Sequence, residues 1–137
     1  MMQIQGAPFR GEVNSADASS GVTLALYKDG SLVAYTLLAN EYLEIHSIQT
    51  VTAPGGDVEI FIGADVTPAA GEYIVRGTFA ANGGVVQELV LPHTGRPGHL
   101  VRAVAPAGAL DVIVRGTIRT VDDGDTRPAW REALPGN

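Results

Sequence analysis

The chain contains no cysteine, which excludes disulfide cross-links, thiolate metal ligands and thiol nucleophiles and leaves stability to packing or assembly. Charge is sparse too, at 18% of residues, and aromatic side chains make up 6%. No stretch approaches the roughly 18 consecutive apolar residues of a membrane-spanning helix, so no membrane partner is expected. Residues 1–6 lack a basic segment followed by an apolar run, and a soluble, unprocessed chain is expected. Apolar stripes at helical spacing that are free of Gly and Pro are also missing, so helix is expected to amount to no more than a turn or two near residues 39–42. Basic residues are in deficit: nine face fifteen acidic ones, for a formal charge of −6. That balance repels phosphate backbones and argues against nucleic acid or anionic lipid as the main partner.

What is present is β-type sequence. The length of 137 residues suits one domain with one core,. Residues 22–120 are a series of short runs of Val, Ile, Leu, Thr and Tyr, separated by Gly, Pro, Asn and Asp at the spacing of sandwiches and barrels. Val22, Leu24 and Leu26 alternate with Thr23, Ala25 and Tyr27. Lys28-Asp29-Gly30-Ser31 then supplies a tight turn and residues 32–36 return, which reads as a hairpin. Leu43 and Ile45 share one face, but Ile48 and Val51 break that phase, as a bulge or bend does. Val58, Ile60 and Ile62 alternate with Asp57, Glu59 and Phe61, and further strands are expected over 73–79 and 85–91. The cleanest alternation is the last, with Leu110, Val112, Val114 and Ile118 against Asp111, Arg115, Thr117 and Arg119. The string VRGT occurs at 75–78 and again at 114–117; coincidence among β-type strings explains it more simply than a duplication.

The ends differ in composition. Residues 1–21 mix Gly, Pro, Ser and Asp with isolated Ile4, Phe9 and Val13, and residues 121–137 are rich in Asp, Pro and Gly with the chain's one Trp, Trp130. Both are expected as arms that order only along another surface. The expected fold is therefore all-β, a compact antiparallel barrel or jelly-roll-like sandwich with extended N- and C-terminal arms. The 45% apolar fraction has two explanations, buried strands or a surface that faces a partner,.

Catalytic signatures are not found. Of the three histidines, His46, His93 and His99, only the last two are close in sequence, and the loop between them lacks an acidic residue or a His-x-His pair, so no metal site is expected. Asp122, Asp123 and Asp125 lack calcium-loop spacing and lie in an expected arm, where nothing desolvates one carboxylate against another. No serine sits in a Gly-x-Ser-x-Gly elbow and no glycine-rich phosphate loop opens a helix. Neither the metal histidines of cupins nor the nucleotide motifs of trimeric dUTPases are present. No enzyme activity and no cofactor are expected.

The stretch LALYKDGSLVAYTLLANEYLEIHSIQTVTAPGGDVEIFIG, with YIVRGTFAANGGVVQELVLP and LDVIVRGTI, resembles the decoration (cement) proteins of tailed-phage heads, over roughly residues 22–119. The resemblance lies in strand and turn texture. It implies a structural virion protein, often a homotrimer, that sits on the outer capsid surface and clamps neighbouring major capsid proteins, with no active site. Contacts beyond the domain are expected from Ile4, Phe9 and Val13 in the first arm and from Arg127, Trp130 and Arg131 in the second. A ligand-binding jelly roll for carbohydrate or a receptor, and a tail or vertex structural protein, remain the alternatives; Tyr27, Tyr35, Tyr42 and Tyr73 are the aromatic side chains a sugar platform would use.

Overall fold

The computed structural model describes residues 6–121. Their regular structure is entirely extended, in nine strands: β1 (Ala7–Ser15), β2 (Val22–Thr23), β3 (Ala25–Lys28), β4 (Glu41–Thr52), β5 (Gly56–Gly63), β6 (Tyr73–Phe79), β7 (Gly83–Thr94), β8 (Leu100–Val104) and β9 (Leu110–Thr120). They form a five-stranded sheet A, in the order β3-β1-β9-β4-β7, and a four-stranded sheet B, in the order β2-β8-β5-β6. Every pairing is antiparallel. The expected all-β class is thus present as a two-sheet sandwich; the sheets do not close into a barrel.

The sandwich follows from period-two alternation. On β9, Leu110, Val112, Val114 and Ile118 are buried while Asp111 and Arg115 are exposed. The inner faces of both sheets merge into one cluster, with Leu43, Ile45 and Ile48 of β4 and Val112 and Val114 of β9 against Val58, Ile60 and Ile62 of β5 and Val101 and Ala103 of β8. Burying each such aliphatic side chain contributes roughly 1.5–3 kcal/mol. The phase break anticipated in β4 is a bulge at His46, where the register against both β7 and β9 shifts between Ile45 and Ser47. It turns Ile48, Thr50 and Thr52 inward after Leu43 and Ile45. Thr50 and Thr52 remain satisfied there, because their hydroxyls donate to the carbonyls of Asp111 (2.8 Å) and Ala109 (3.2 Å).

Several expectations are corrected. Residues 7–21 are not an arm: β1 is an interior strand, paired with β9 from Ala7↔Ile118 to Ser15↔Leu110 and with β3 on its other side. Ala18, fully buried, is tied by backbone bonds to Gly108 and Ala105. The composition misleads because Gly11 faces the core without a side chain; a β-carbon there would meet Val114 at 2.9 Å and Leu26 at 3.4 Å. The run 22–27 is not one strand but two, since the chain crosses from sheet B to sheet A at buried Leu24. The turn at Asp29 and Gly30 forms with positive φ at both residues, yet the returning strand reduces to a single Leu26↔Tyr35 bridge. The Tyr35 hydroxyl is drawn to Glu41 at 2.6 Å, and the Ser31 hydroxyl accepts the Val33 amide, so residues 31–33 leave the sheet. Near residues 39–42 there is a turn, closed by Glu41 N–H donating to the Leu38 carbonyl, and then β4 in place of helix. Strand β8 is unanticipated. Phe61, expected on the polar face, is fully buried outside the main core, edge-on to Tyr73 with ring centroids 6.2 Å apart. The expected C-terminal arm, apart from Val121, lies outside the described residues.

Candidate docking surfaces

The large apolar side chains most exposed to solvent fall into two groups. Val86, Val90 and Leu91, at 78%, 96% and 82% exposure, belong to β7, one edge of sheet A; Leu32 and Val33, at 87% and 76%, follow β3, the opposite edge. Strand β7 pairs with β4 alone, so one side of its backbone has no sheet partner among the described residues. Its register explains the exposure of Val90 and Leu91: Glu88 opposes Ser47 and His93 opposes Ile45, so Leu89 through Pro92 bulge away from β4, while Val86 lies in the regular ladder opposite exposed Gln49. Bulges and proline blunt an edge against uncontrolled pairing, but residues 83–88 remain regularly paired with β4 and free on the other side. Sequence reasoning passed over these residues. A signal existed, since Leu89-Val90-Leu91 cannot all face a core in a regular strand.

The candidate contact residues are distributed differently. Phe9 is buried at 5% exposure and Val13 packs against the same core; both are corrected from arm contacts to interior positions, because β1 is hydrogen-bonded on each side. Ile4, Arg127, Trp130 and Arg131 lie outside the described residues, as do Asp122, Asp123 and Asp125.

The histidines occupy two places. His46, at the β4 bulge, has Nε2 3.0 Å from a Glu44 carboxylate oxygen and 3.4 Å from the Thr117 hydroxyl. The arrangement looks like a hydroxyl–imidazole–carboxylate relay but is not one, since a relay needs one ring nitrogen for each partner and here one nitrogen meets both. Glu44 is shared with the Arg119 guanidinium at 3.2 Å. His93 and His99 line a cavity of about 340 Å³ between the loops at 69–72 and 93–99, together with Glu72 and Arg96. Burial pushes the pKa of the His93 imidazole below its ordinary value, because desolvation disfavours the charged ring,. His99 Nδ1 lies 4.0 Å from a Glu72 carboxylate oxygen, whose partner oxygen accepts the Ala69 amide. Among the described residues no group of three His, Asp or Glu side chains is placed to hold a metal ion.

The tyrosines are dispersed. Tyr35 is bonded to Glu41 and lies under Lys28, Tyr73 lies against Phe61 and Arg76, and Tyr27 lies under Arg10. No family model matches the chain, and no curated protein matches it.

Proposed function

We propose that the protein is a structural component of a tailed-phage particle, seated on the outer surface of the head, where it binds neighbouring major capsid subunits as a homotrimer and stabilises the expanded shell without catalysis. The observation that carries this reading is the exposed apolar edge at Val86, Val90 and Leu91. An apolar patch rimmed by polar residues marks a protein-binding surface, and a free strand edge adds backbone donors and acceptors for a partner strand. Two different patches on opposite edges of one sheet suit a heterologous contact, which closes into a ring when the rotation between copies allows it. The strand and turn texture shared with decoration proteins points the same way. A charge of −6 is compatible with an outer surface, whereas a lining against packaged DNA gains from basic residues,. Many weak contacts made at once suffice to hold a shell.

The test is quantitative mass spectrometry of purified, DNA-filled particles, comparing copies of this chain with copies of the major capsid protein. Near-equal abundance is expected. A few copies per particle would move the protein to a tail or vertex, and absence from particles would overturn the reading.

A further inference from the structure

We propose that the outer face of sheet A carries an oxyanion site, formed by Arg10 and Arg115, that takes the carboxylate of an acidic side chain on a protein partner. The site itself follows from this chain's own residues; that its carboxylate comes from a protein rests on the protein-binding role proposed for the chain.

The register of β1 against β9 sets Arg10 directly opposite Arg115. Both point away from the core, since their neighbours Phe9 and Val114 are buried inside it. Residues directly opposite in an antiparallel pair have β-carbons about 4.5–5.5 Å apart, and like charges there destabilise the sheet. Elsewhere the strand arginines are satisfied. Arg102 donates to the carbonyls of Gly63 and Ala64 and to the Thr23 hydroxyl. Arg119 meets Glu44, and Arg76 meets Glu59 at 3.6 Å. Arg10 has Glu12 at 3.4 Å, two residues along its own strand, and its guanidinium lies 4.9 Å above the Tyr27 ring. Arg115 has neither an ion-pair partner nor a side-chain hydrogen bond among the described residues. A like-charged pair across two interior strands, with one member uncompensated, is a local cost that a bound anion removes.

Geometry narrows the ligand. Arg10 and Arg115 line a cavity of about 210 Å³ together with Pro8, Phe9, Tyr27 and Gly30. Pockets that enclose a small molecule measure roughly 300–1,000 Å³, so this one accepts a single charged group presented from outside. Guanidinium forks match the planar carboxylate two bonds at a time, and stacking on Tyr27 holds the Arg10 fork before the ligand arrives. The net charge of −6 repels a polyanion as a whole,, which favours an isolated acidic side chain over a nucleic-acid backbone.

The test is a titration of the purified, ¹⁵N-labelled chain at low salt, following the Nε–H signals of the arginines. The probes are a capped Gly-Asp-Gly peptide, its Gly-Asn-Gly counterpart and inorganic phosphate. We expect saturable shifts of Arg10 and Arg115 with the aspartyl peptide and none with the asparaginyl one. In Arg115→Gln the peptide should bind about tenfold more weakly, the loss of a charge-assisted pair, while the thermal midpoint stays level or rises. No movement of either arginine, equal movement with both peptides, or tighter binding of phosphate than of the aspartyl peptide would each overturn the assignment. So would a lowered midpoint in Arg115→Gln, which would make the arginine structural. Because the titration needs no phage particle, its failure is distinguishable from absence of the chain in particles.

Discussion

Strands β9 and β7 belong to the same sheet with only β4 between them, and they are opposites in what they bury. β9 closes Leu110, Val112, Val114 and Ile118 almost completely, whereas no residue of the longer β7 is fully buried. Composition does not explain this, since β7 carries Val85, Val86, Leu89, Val90 and Leu91. Position does. β9 is paired on both sides and faces sheet B, so alternation is enforced along its length; β7 is paired on one side and bulges where Leu89 to Pro92 leave the ladder. The lesson is that apolar residues in a strand report burial only where the facing sheet covers them, as it covers Leu26 of edge strand β3, and otherwise report a surface that remains to be covered.

That contrast can be broken most directly by truncation. Ile118→Ala should lower the stability by about 2–5 kcal/mol through lost burial and a residual cavity, whereas Leu91→Ala should stay within about 0.5 kcal/mol; urea denaturation measures both. A cost at Leu91 as large as that at Ile118 would mean that β7 is covered within the chain and would end the comparison. Next in size is Gly116→Ala on β9. A β-carbon there runs into the Glu44 carbonyl across the β4 pairing, and forcing the strands apart should cost about 1–3 kcal/mol, visible in the same denaturation series and as faster amide exchange between β4 and β9. Smaller again is Thr50→Val, which keeps the shape but removes the hydroxyl that donates to Asp111. About 1 kcal/mol is expected, and a neutral result would show that the inward threonine of β4 is spare.

The smallest effect is confined to alkaline pH. The Tyr35 hydroxyl is pushed up to about 12, first by its hydrogen bond to the Glu41 carboxylate and then by desolvation and the charge of Glu41. The fold therefore holds the neutral phenol. The contribution of that bond is fully present below the ordinary value of 10.0 and is lost as pH rises from there through about 12,. Thermal midpoints recorded over that range should fall less steeply in Tyr35→Phe than in the parent chain; parallel profiles would detach Tyr35 from the edge loop that carries Leu32 and Val33.

The two VRGT strings show how far the sequence could be read. In β6 the arginine of the string, Arg76, rests over Tyr73 and beside Glu59. In β9 the corresponding Arg115 faces Arg10. Four identical residues thus have different partners, and nothing within the string itself distinguishes them. The bulge of β4 was legible because Ile48 breaks the phase set by Leu43 and Ile45 within a few residues. The burial of Phe9 was not, because Gly11 hides the alternation and the partner strand lies at the other end of the chain.

By itself, the sequence determined the all-β class, the inward faces of β5 and β9, the glycine turn at Gly30, and the absence of cysteine chemistry. These depend on side-chain alternation and backbone sterics within a few residues. Only the tertiary structure decided that β1 enters the middle of sheet A, that the run through Leu24 changes sheets, that β7 is left as an edge, and that Arg10 meets Arg115. Those outcomes depend on which distant strands pair and in which register, and pairing is settled by the burial of the whole core and not by any one segment.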